Sequence, residues 1–385
     1  MSSVIEHFQA QISHAVASGQ TLSIQGGNSL YFYGEAAASG HVLDTRAQTG
    51  IVSYEPSELV VTVRAGTPLS ELEALLAEQG QCLAFEPPRY RAVNDKHSHA
   101  TVGGAIACGL AGPARAVVGG VRDHVLGVQM INGKGECLSF GGQVMKNVAG
   151  YDVSRVLAGS MGTLGLITDV SLKVLPQAPA EVTLACPLPQ QAALELLHRW
   201  GAQPLPLNAS CWVKDSSTQP AQEILFVRLR GAVAAVESAV PRMSADAQAA
   251  GGQALLVDRA QALADWSACR DQSLPFFTPP SPDLALWRLS LPPTAPVLAL
   301  PYSPLIEWQG GLRWLWAPLS AASEVRAAAA QVGGHATVFR PPVTPVSDRP
   351  SVFPSLPAVQ QRIQRELQKQ FDPHAVFNTG RLGLL

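Results

Sequence analysis

The sequence predicts an α+β protein in which two domains of different composition follow each other. Glycine is concentrated in one region, because 15 of the 33 glycines fall within residues 101–165. After Pro176 glycine becomes scarcer, and strand-like and helix-like runs alternate more slowly. The chain has 385 residues, of which 47% are hydrophobic, and this is enough for two substantial cores.

The composition argues against several classes of protein. The net charge is −2 and no block rich in Lys or Arg occurs, so nucleic-acid binding is not expected. The six cysteines are scattered without a CxxC pair, which is typical of reduced thiols in a cytosolic protein. The N-terminus lacks the features of a signal peptide, and no apolar run reaches the roughly 18 residues of a membrane span. We therefore expect a cytoplasmic chain without direct membrane insertion.

The glycines between residues 101 and 165 form four clusters: Gly103–Gly104, Gly119–Gly120, Gly141–Gly142 and Gly159–Gly165. Glycine accepts positive φ angles and lets a ligand approach the backbone. Consecutive N–H groups freed in this way can hold a pyrophosphate without lysine. Ordinary tight turns would explain one pair, but four clusters in one apolar region favour a bound nucleotide cofactor.

The spacing of these glycines excludes two common nucleotide sites. No G-x-x-x-x-G-K-[ST] segment occurs, so a P-loop is not expected. A dinucleotide-binding turn needs G-x-G-x-x-G after a strand, whereas Gly159–Gly165 has the spacing G-x-x-G-x-x-G and precedes the strand-like run 166–170. The sequence therefore predicts another kind of nucleotide cradle.

Periodicity predicts the elements around this region. Apolar residues at helical spacing indicate a first helix within residues 4–16, and a short strand at 22–25 runs into the turn 26–29. Two strands flanking Asn132–Gly135 have the signature of a hairpin, and a long strand at 166–175 ends at Pro176.

Beyond Pro176 the pattern predicts an α+β domain. Helices are expected near residues 194–200, 233–250 and 321–331, and strands near 224–229, 254–257, 284–291, 312–316 and 336–339. A proline-rich extended connection at 341–357 leads to a last helix that ends near Phe371.

Five motifs occur in a characteristic order: QGGNS (25–29), VRAGTPL (63–69), ATVGGAIACGLAG (100–112), VRDHVLG (121–127) and KNVAGYDVSRVLAGSMGTLGLIT (146–168). This set strongly resembles the FAD-binding domain of the vanillyl-alcohol oxidase (PCMH-type) flavoproteins, which is built from two α/β subdomains. The segments EPPRY, ACGLAGPAR and FGGQVMKNVAGYD are similar to the family of FAD-binding subunits of bacterial glycolate oxidases.

The resemblance implies a domain division. Residues 1–177 would form the PCMH-type FAD-binding domain, and residues 178–340 an α+β cap domain for substrate or partner. Residues 341–385 would form the proline-rich connection and a helix and tail that return to the flavin. The tail from Phe371 to Arg381 is similar to the family motif D-P-x-x-x-x-N-P-G, with Thr379 in place of the proline.

The resemblance also implies FAD as cofactor. Asn28 stands where relatives with covalent flavin commonly carry histidine, and no cysteine is near it in sequence, so non-covalent FAD is expected. The residues expected to bind FAD are Gln25, Gly26, Gly27, Asn28, Ser29, Thr101, Val102, Gly103, Gly104, Ala107, Gly112, Lys146, Gly159, Gly162, Thr163, Gly165, Ile167, Asn378 and Arg381.

Oxidation of a 2-hydroxy acid requires a base for the hydroxyl proton and a cation for the carboxylate, since FAD supplies the redox chemistry. His335, after two glycines on a predicted loop, is the candidate base, although a turn histidine that caps the backbone is the alternative. Arg288, inside an apolar strand, is the candidate clamp, although it could pair with a neighbouring acid. Lys146 and Arg381 are candidates for positive charge near the flavin, against solvated or structural roles.

Histidines 97, 99 and 124 are the residues to consider as metal ligands. Two of them are separated by one residue without an obvious acidic third ligand, a pattern more typical of a polar loop, so no metal is expected. The H-x-G-D-G-N-x-H segment of related catalytic subunits does not occur here.

The resemblance implies an FAD-binding subunit of a glycolate oxidase complex that converts glycolate to glyoxylate and passes electrons to a partner rather than to NAD. The implied partners are a larger flavin-containing subunit and an iron–sulfur subunit, through which any contact with the inner face of the membrane would be made. Two alternatives stay open. One is a stand-alone FAD-dependent dehydrogenase for lactate-like 2-hydroxy acids, and the other is a non-catalytic scaffold protein of the complex.

Overall fold

The computed structural model describes residues 2–36, 40–90, 99–142, 152–216 and 219–383. The chain divides into two units, of which the first comprises residues 1–111, 119–177 and 355–385 and the second residues 112–118 and 178–354. The second unit therefore takes a short segment from within the predicted first domain, and the last part of the chain belongs to the first unit. The predicted limits at residues 177 and 340 remain predictions.

The helices of the first unit are α1 (Ser2–Ser18), α2 (Leu69–Glu78), α3 (Val102–Cys108), α5 (Val121–His124) and α10 (Ala358–Phe371). Its strands are β1 (Leu22–Gln25), β2 (His41–Asp44), β3 (Ile51–Glu55), β4 (Val60–Arg64), β5 (Gln81–Cys82), β6 (Val125–Ile131), β7 (Cys137–Gly141), β8 (Leu166–Lys173) and β9 (Leu175–Pro176).

A five-stranded antiparallel sheet with the order β3-β4-β8-β6-β7 is the centre of the first unit. Strands β4 and β8 are rich in β-branched and apolar residues because both sheet faces are covered there. Residues of α2 and α3, such as Leu72 and Ile106, are fully buried in the same core. The predicted hairpin is confirmed, because Asn132 Oδ1 accepts the N–H groups of Lys134 and Glu136 between β6 and β7.

A smaller core joins both ends of the chain. Phe8 and Ile12 of α1 pack with Leu22 of β1 and with Val376 and Phe377 of the C-terminal tail. Strands β1 and β2 are parallel, and Phe377 extends them by a parallel bridge to Leu22. The tail is thus a third strand-like segment beside β1.

The turn that leads from α10 into this tail is fixed by a buried carboxylate. Asp372 is 2% exposed, and its two carboxylate oxygens accept the N–H groups of Val376 and Phe377 at 3.0 and 2.9 Å. Burial raises the pKa of Asp372, while these two hydrogen bonds act in the opposite direction. Gly133 lies so close that a Cβ there would be 2.2 Å from Asp372 Oδ1, so the β6–β7 hairpin packs directly against the tail.

The helices of the second unit are α4 (Arg115–Val118), α6 (Gln190–Gly201), α7 (Val233–Ala249), α8 (Arg259–Arg270) and α9 (Ala322–Gln331). Its strands are β10 (Ala180–Pro187), β11 (Leu207–Asp215), β12 (Gln222–Gly231), β13 (Leu255–Leu256), β14 (Leu284–Ser290), β15 (Leu305–Glu307), β16 (Leu312–Pro318) and β17 (His335–Arg340). They form one antiparallel sheet with the order β13-β10-β12-β11-β15-β16-β14-β17.

The two faces of this sheet differ in chemistry. Because side chains alternate along a strand, Trp287 of β14 points to the face that packs on α9, and Trp212 of β11 points to the face that packs on α6 and α7. The opposite face carries Arg288, Trp314 and Glu307, which the strand register places on one side. We call this second surface the polar face of the sheet.

The predicted helices and strands after residue 190 are all present, and residues 341–357 contain neither helix nor strand. The sequence analysis did not predict β10, β11, β15 and α8. One local prediction was wrong, because His335 is the first residue of β17 and pairs with Ser290 rather than lying in a loop. In the part of the chain that the structure describes, no helix is long and apolar enough to cross a membrane.

Candidate cofactor site

A cleft in the first unit brings together most of the residues predicted to bind a cofactor. Its volume is about 130 Å³, and its walls come from the turn after β1, the start of α3, the segment before β8 and the C-terminal tail. The predicted residues in its lining are Gly26, Gly27, Asn28, Ser29, Thr101, Gly103, Gly104, Ala107, Gly162, Gly165, Ile167, Asn378 and Arg381.

The other predicted residues lie elsewhere. Gln25 is behind the turn, where its Oε1 accepts the side-chain N–H of Asn28, and Val102 is buried in the core. Gly159 and Thr163 line a separate small cavity beside α10. Gly112 is in the second unit and accepts the indole N–H of Trp308 at 3.0 Å. Lys146 lies outside the described residues, so its role stays a prediction.

The turn after β1 has the properties of an anion cradle. A Cβ on Gly27 would be 1.4 Å from the carbonyl oxygen of His99, so only glycine fits there. Asn28 follows with φ 55°, a left-handed conformation that asparagine tolerates. Among the described residues, no hydrogen-bond partner is found for the backbone N–H groups of Gly27, Asn28 and Ser29. Three successive unpaired N–H groups suit the oxygens of a pyrophosphate.

The start of α3 is built differently. The N–H groups of Val102 and Gly103 donate to the carbonyls of Thr67 and Ala65 at 2.9 and 2.7 Å, and Thr101 Oγ1 accepts the N–H of Gly104 at 3.3 Å. These donors are therefore used inside the protein. Gly103 instead permits close packing, since a Cβ there would be 2.7 Å from Ala65 Cβ. Gly104 leaves one side of the cleft open.

Two of the four glycine clusters have no part in the cleft. Gly120 caps α5 by donating its N–H to Asp123 Oδ2 at 2.8 Å. Gly141 has φ 71°, and a Cβ there would be 2.2 Å from the carbonyl oxygen of Leu126. The concentration of glycine therefore indicated the region of the chain that contains the cleft, but fewer glycine clusters line the cleft than the sequence suggested.

Asn378 holds two walls of the cleft together. Its Oδ1 accepts the N–H of Ile24 in β1 at 2.9 Å, and its Nδ2 donates to the carbonyl of Met161 at 2.7 Å. Gly162 is required beside it, because φ is 74° and a Cβ would be 2.7 Å from Asn378 Nδ2. One amide thereby fixes the distance between the turn after β1 and the segment before β8.

Arg381 places a guanidinium in the cleft wall. Its Nη2 donates to the carbonyl of Tyr31 at 2.6 Å, and its Nη1 donates to that of Glu35 at 3.3 Å. The guanidinium carbon also lies 5.3 Å from the centre of the Tyr31 ring. Burial lowers the pKa of Arg381, but the group stays cationic near neutrality because its ordinary value is so high. A positive charge therefore lines the cleft, and its role near the flavin stays a prediction.

Cys108 corrects one step in the sequence analysis. No cysteine is near Asn28 in sequence, yet Cys108, at the end of α3, lines the same cleft. Burial raises the pKa of this thiol to about 11, so it stays protonated and is a poor nucleophile.

The two candidate catalytic residues lie together on the polar face of the second unit. Arg288 of β14 is opposite Thr337, and His335 is opposite Ser290, so the side chains of both point to one side. Among the residues that the structure describes, the side chain of Arg288 has no ion pair or hydrogen bond, and its guanidinium contacts the rings of Trp308 and Trp314. Partial desolvation, and then the charge of Arg288, lower the pKa of His335, which favours its neutral form.

Trp308 and Arg115 were not predicted from the sequence. Trp308 is 6% exposed, and its ring is contacted by Arg288 and by Arg115, whose guanidinium carbon lies 4.5 Å from the ring centre. Trp308 and Gln309 have φ values of 52° and 55°, a conformation that costs about 1–2 kcal/mol per non-glycine residue. Strain of this kind clusters at functional sites. In the sequence, Arg115 is part of the ACGLAGPAR segment, and the spacing of that segment does not indicate a contact with Trp308.

The histidines considered as metal ligands do not meet. His124 is 2% exposed and packs against the ring of Phe85, and His99 contributes its carbonyl to the contact with Gly27. His97 lies outside the described residues. Within the described ranges, no group of three or more His, Cys, Asp or Glu side chains could hold a metal ion.

The groups that line the cleft suit a nucleotide cofactor. It offers unpaired N–H groups after β1, a glycine that leaves space at the start of α3, and a guanidinium at its edge. These groups suit a ligand with a pyrophosphate and are those expected of a nucleotide-cofactor-binding class of protein.

Sequence comparison supports the same class. Residues 4–141 match the family model described as the FAD binding domain. The chain is 41% identical to the glycolate oxidase subunit GlcE of Escherichia coli K12 over 97% of this chain and 95% of that protein. The chain therefore belongs to the GlcE family of FAD-binding proteins, and its cofactor is FAD.

Other relatives are less similar in sequence, and one solved structure shares the fold. A D-2-hydroxyglutarate dehydrogenase of Xanthomonas citri pv. viticola is 27% identical over 70% of this chain and 54% of its own length. The glycolate oxidase subunit GlcD of Bacillus subtilis is 30% identical over 38% of this chain and 29% of its own length. A solved structure of alkyldihydroxyacetonephosphate synthase is 14% identical with a TM-score of 0.65, covering 97% of this chain and 74% of that one. The α+β fold with a PCMH-type FAD domain is thus confirmed.

Gly104→Ala is expected to change folding stability and FAD affinity in opposite directions. The new Cβ would lie 3.1 Å from Thr101 Oγ1, a close contact that is relieved when this side chain shifts by a few tenths of an ångström. Alanine favours a helix over glycine by about 0.5–1 kcal/mol, whereas the added methyl group intrudes into the cleft. Urea unfolding of the FAD-free chain should show equal or higher stability, while titration with FAD should show a weaker Kd.

Gly19→Ala is the control, because Gly19 is outside the cleft and nothing lies within 4 Å of its would-be Cβ. The strain of its positive φ should lower stability and leave the Kd for FAD unchanged. An unchanged Kd for Gly104→Ala would show that FAD does not reach this side of the cleft.

Proposed function

We propose that this chain is the FAD-binding subunit of a complex that oxidises glycolate to glyoxylate. The electrons of this oxidation would pass to a partner protein of the complex and not to NAD. The proposal is carried by one observation: Arg288, whose guanidinium has no acidic partner among the described residues, shares a sheet face with His335 in a chain that also holds an FAD cleft. Extended similarity to GlcE supports the substrate.

In this proposal the first unit holds FAD. The N–H groups of Gly27–Ser29 bind the pyrophosphate, Arg381 supplies positive charge near the cofactor, and Lys146 is expected to add to it. Bound FAD would supply the hydride acceptor for the carbon that carries the hydroxyl group.

The second unit supplies the groups that handle the substrate. Arg288 binds the glycolate carboxylate, because a guanidinium without an acidic partner gains a charge-assisted pair on binding. Trp308 and Trp314 hold this guanidinium in place by their ring contacts, and Arg115 adds positive charge beside Trp308. His335 takes the hydroxyl proton on a ring nitrogen, for which its neutral form is required.

The partners are proposed on two grounds. The relatives include GlcD as well as GlcE subunits of glycolate oxidases, which indicates a complex of several subunits. The sequence contains neither a dinucleotide-binding G-x-G-x-x-G turn after a strand nor the CxxC spacing of an iron–sulfur site. We therefore propose that electrons pass to a larger flavin-containing subunit of the GlcD type and to an iron–sulfur subunit, and that this chain works with them in the cytoplasm.

FAD is proposed to be bound non-covalently. Asn28 has no nucleophilic side chain, and burial keeps the Cys108 thiol protonated. Trichloroacetic acid should therefore release all yellow colour into the supernatant, and Cys108→Ser should behave in the same way. Flavin that stays with the precipitated wild type but is released from Cys108→Ser would instead identify a thioether bond.

The catalytic proposal predicts that glycolate bleaches the flavin absorbance of the purified chain under anaerobic conditions. Arg288→Ala should raise the Kd for glycolate about 10- to 100-fold, since a charge-assisted hydrogen bond contributes about 1.5–3 kcal/mol. His335→Ala should slow bleaching by a factor of about 10² to 10⁴ with little effect on the Kd. Arg349→Ala, at an exposed arginine of the same unit, is the control.

The pH dependence of bleaching tests the role of His335 separately. A base acts only when unprotonated, and the pKa of His335 is lowered in the fold. The rate should therefore be constant above the ordinary histidine pKa of about 6.5 and fall only at lower pH, and His335→Ala should lose this inflection. A flavin that glycolate does not reduce would contradict the catalytic proposal and favour the scaffold role. Turnover with a dye acceptor and no need for partners would favour the stand-alone dehydrogenase.

A further inference from the structure

A cavity of about 780 Å³ lies within the second unit, and its lining includes neither Arg288 nor His335. One wall is the polar face of the sheet, through Cys211 of β11, Phe226 of β12 and Trp316 of β16. Helix α8 and the turn at residues 274–280 form the opposite wall. Cavities of about 300–1,000 Å³ are the usual size of small-molecule sites.

Several aromatic rings contribute to the lining. The five aromatic residues in it are Phe226, Trp266, Phe276, Tyr302 and Trp316. Both indole N–H groups are already used, because that of Trp266 donates to Thr183 Oγ1 at 2.9 Å and that of Trp316 to the carbonyl of Phe276 at 2.8 Å. The tryptophans can therefore present only ring carbons to a ligand, which favours flat apolar surfaces.

The buried polar groups near the inner end are neutral or satisfied. Cys211 and Cys269 are buried in the lining, and the Cys269 thiol donates to Glu307 Oε1 at 3.3 Å. The other oxygen of Glu307 accepts the indole N–H of Trp314 at 2.7 Å. Both oxygens of this carboxylate thus accept hydrogen bonds within the protein. None of these groups requires a charged ligand as a partner.

The charged residues of the lining are Lys214, Asp215 and Asp265, all half-buried or exposed. One cation against two carboxylates cannot compensate a phosphate or a dicarboxylate. These charges therefore disfavour phosphates and dicarboxylates as ligands of the cavity.

We propose that this cavity binds an uncharged, planar aromatic molecule of at least two rings, at a site that shares no residue with the FAD cleft. Apolar cavities that stay dry bind aromatic compounds readily, even at a fraction of this volume. The inference does not depend on glycolate oxidation, because it uses none of the residues assigned to that reaction.

The test uses two fluorescent probes that share one aromatic skeleton. N-Phenyl-1-naphthylamine is uncharged, and 1-anilinonaphthalene-8-sulfonate is the same molecule with a sulfonate group. Titration of the folded full chain should give a rise in emission with one bound N-phenyl-1-naphthylamine per chain. The sulfonate should bind at least about tenfold more weakly, because burial of an uncompensated charge is unfavourable.

Two variants of α8 locate the binding. Ala262 is buried in the lining, whereas Ala264 is exposed on the same helix and outside it. Ala262→Phe fills the cavity and should weaken probe binding at least about tenfold, and Ala264→Phe should leave it unchanged. Ser303 is an exposed residue of the lining, so Ser303→Trp fills the cavity without altering the buried core. This variant should also weaken probe binding.

Three results would overturn the proposal. The first is no saturable binding of the uncharged probe by the wild-type chain, and the second is equal binding of both probes. The third is binding by the isolated chain that is lost in the complex with its partners, which would assign the cavity to an apolar side chain of a partner protein. Far-UV circular dichroism and the unfolding midpoint of each variant establish that a loss of binding is not a loss of fold.

Discussion

The side-chain amide of Asn378 is the interaction on which the cofactor cleft depends. It bonds to Ile24, which is 354 positions away in sequence, and to Met161, which is 217 positions away. Hydrogen bonds between such distant segments form only after the chain has lost much conformational entropy, so they require support from packing. That support comes from Leu22 and Phe377, which share a buried core, and from the Asp372 carboxylate that fixes the turn before them. The C-terminal tail is therefore a structural part of the FAD domain, although the family model matches only residues 4–141.

In the second unit, one face of the sheet forms the hydrophobic core and the other face carries the candidate functional residues. Its helix-covered face buries apolar residues such as Trp287 and Trp212 and forms the core. The polar face holds an arginine between indole rings, a satisfied buried glutamate and an aromatic-lined cavity. Antiparallel sheets allow this division because neighbouring residues of a strand point in opposite directions. A shift of one residue in β14 would move Arg288 into the core, so the register of this strand with β16 and β17 specifies the site.

Much of the fold and part of the site could be predicted from the sequence. Periodicity identified β1, α1 and the β6–β7 hairpin, and the Asn378 and Arg381 positions followed from the resemblance of the tail to a family motif. These signals are local or belong to short ordered motifs. The presence of Cys108 in the cleft and of Arg115 beside Trp308 could not be predicted, because each depends on which distant segments meet in space. The roles of Gly103 and Gly120 could not be predicted either. The sequence alone does not distinguish a glycine needed for packing or capping from one that binds phosphate.

The most direct test of this account is the Kd for FAD of the Asn378→Gly variant, measured by quenching of flavin fluorescence. Glycine keeps the left-handed backbone at this position, where φ is 41°, and removes only the amide. His374→Ala, at an exposed residue of the same tail, is the control. Loss of two hydrogen bonds of about 1 kcal/mol each predicts a Kd at least about tenfold weaker for Asn378→Gly and an unchanged value for the control. Equal, wild-type Kd values for both variants would show that the tail does not organise the cleft and would contradict the account.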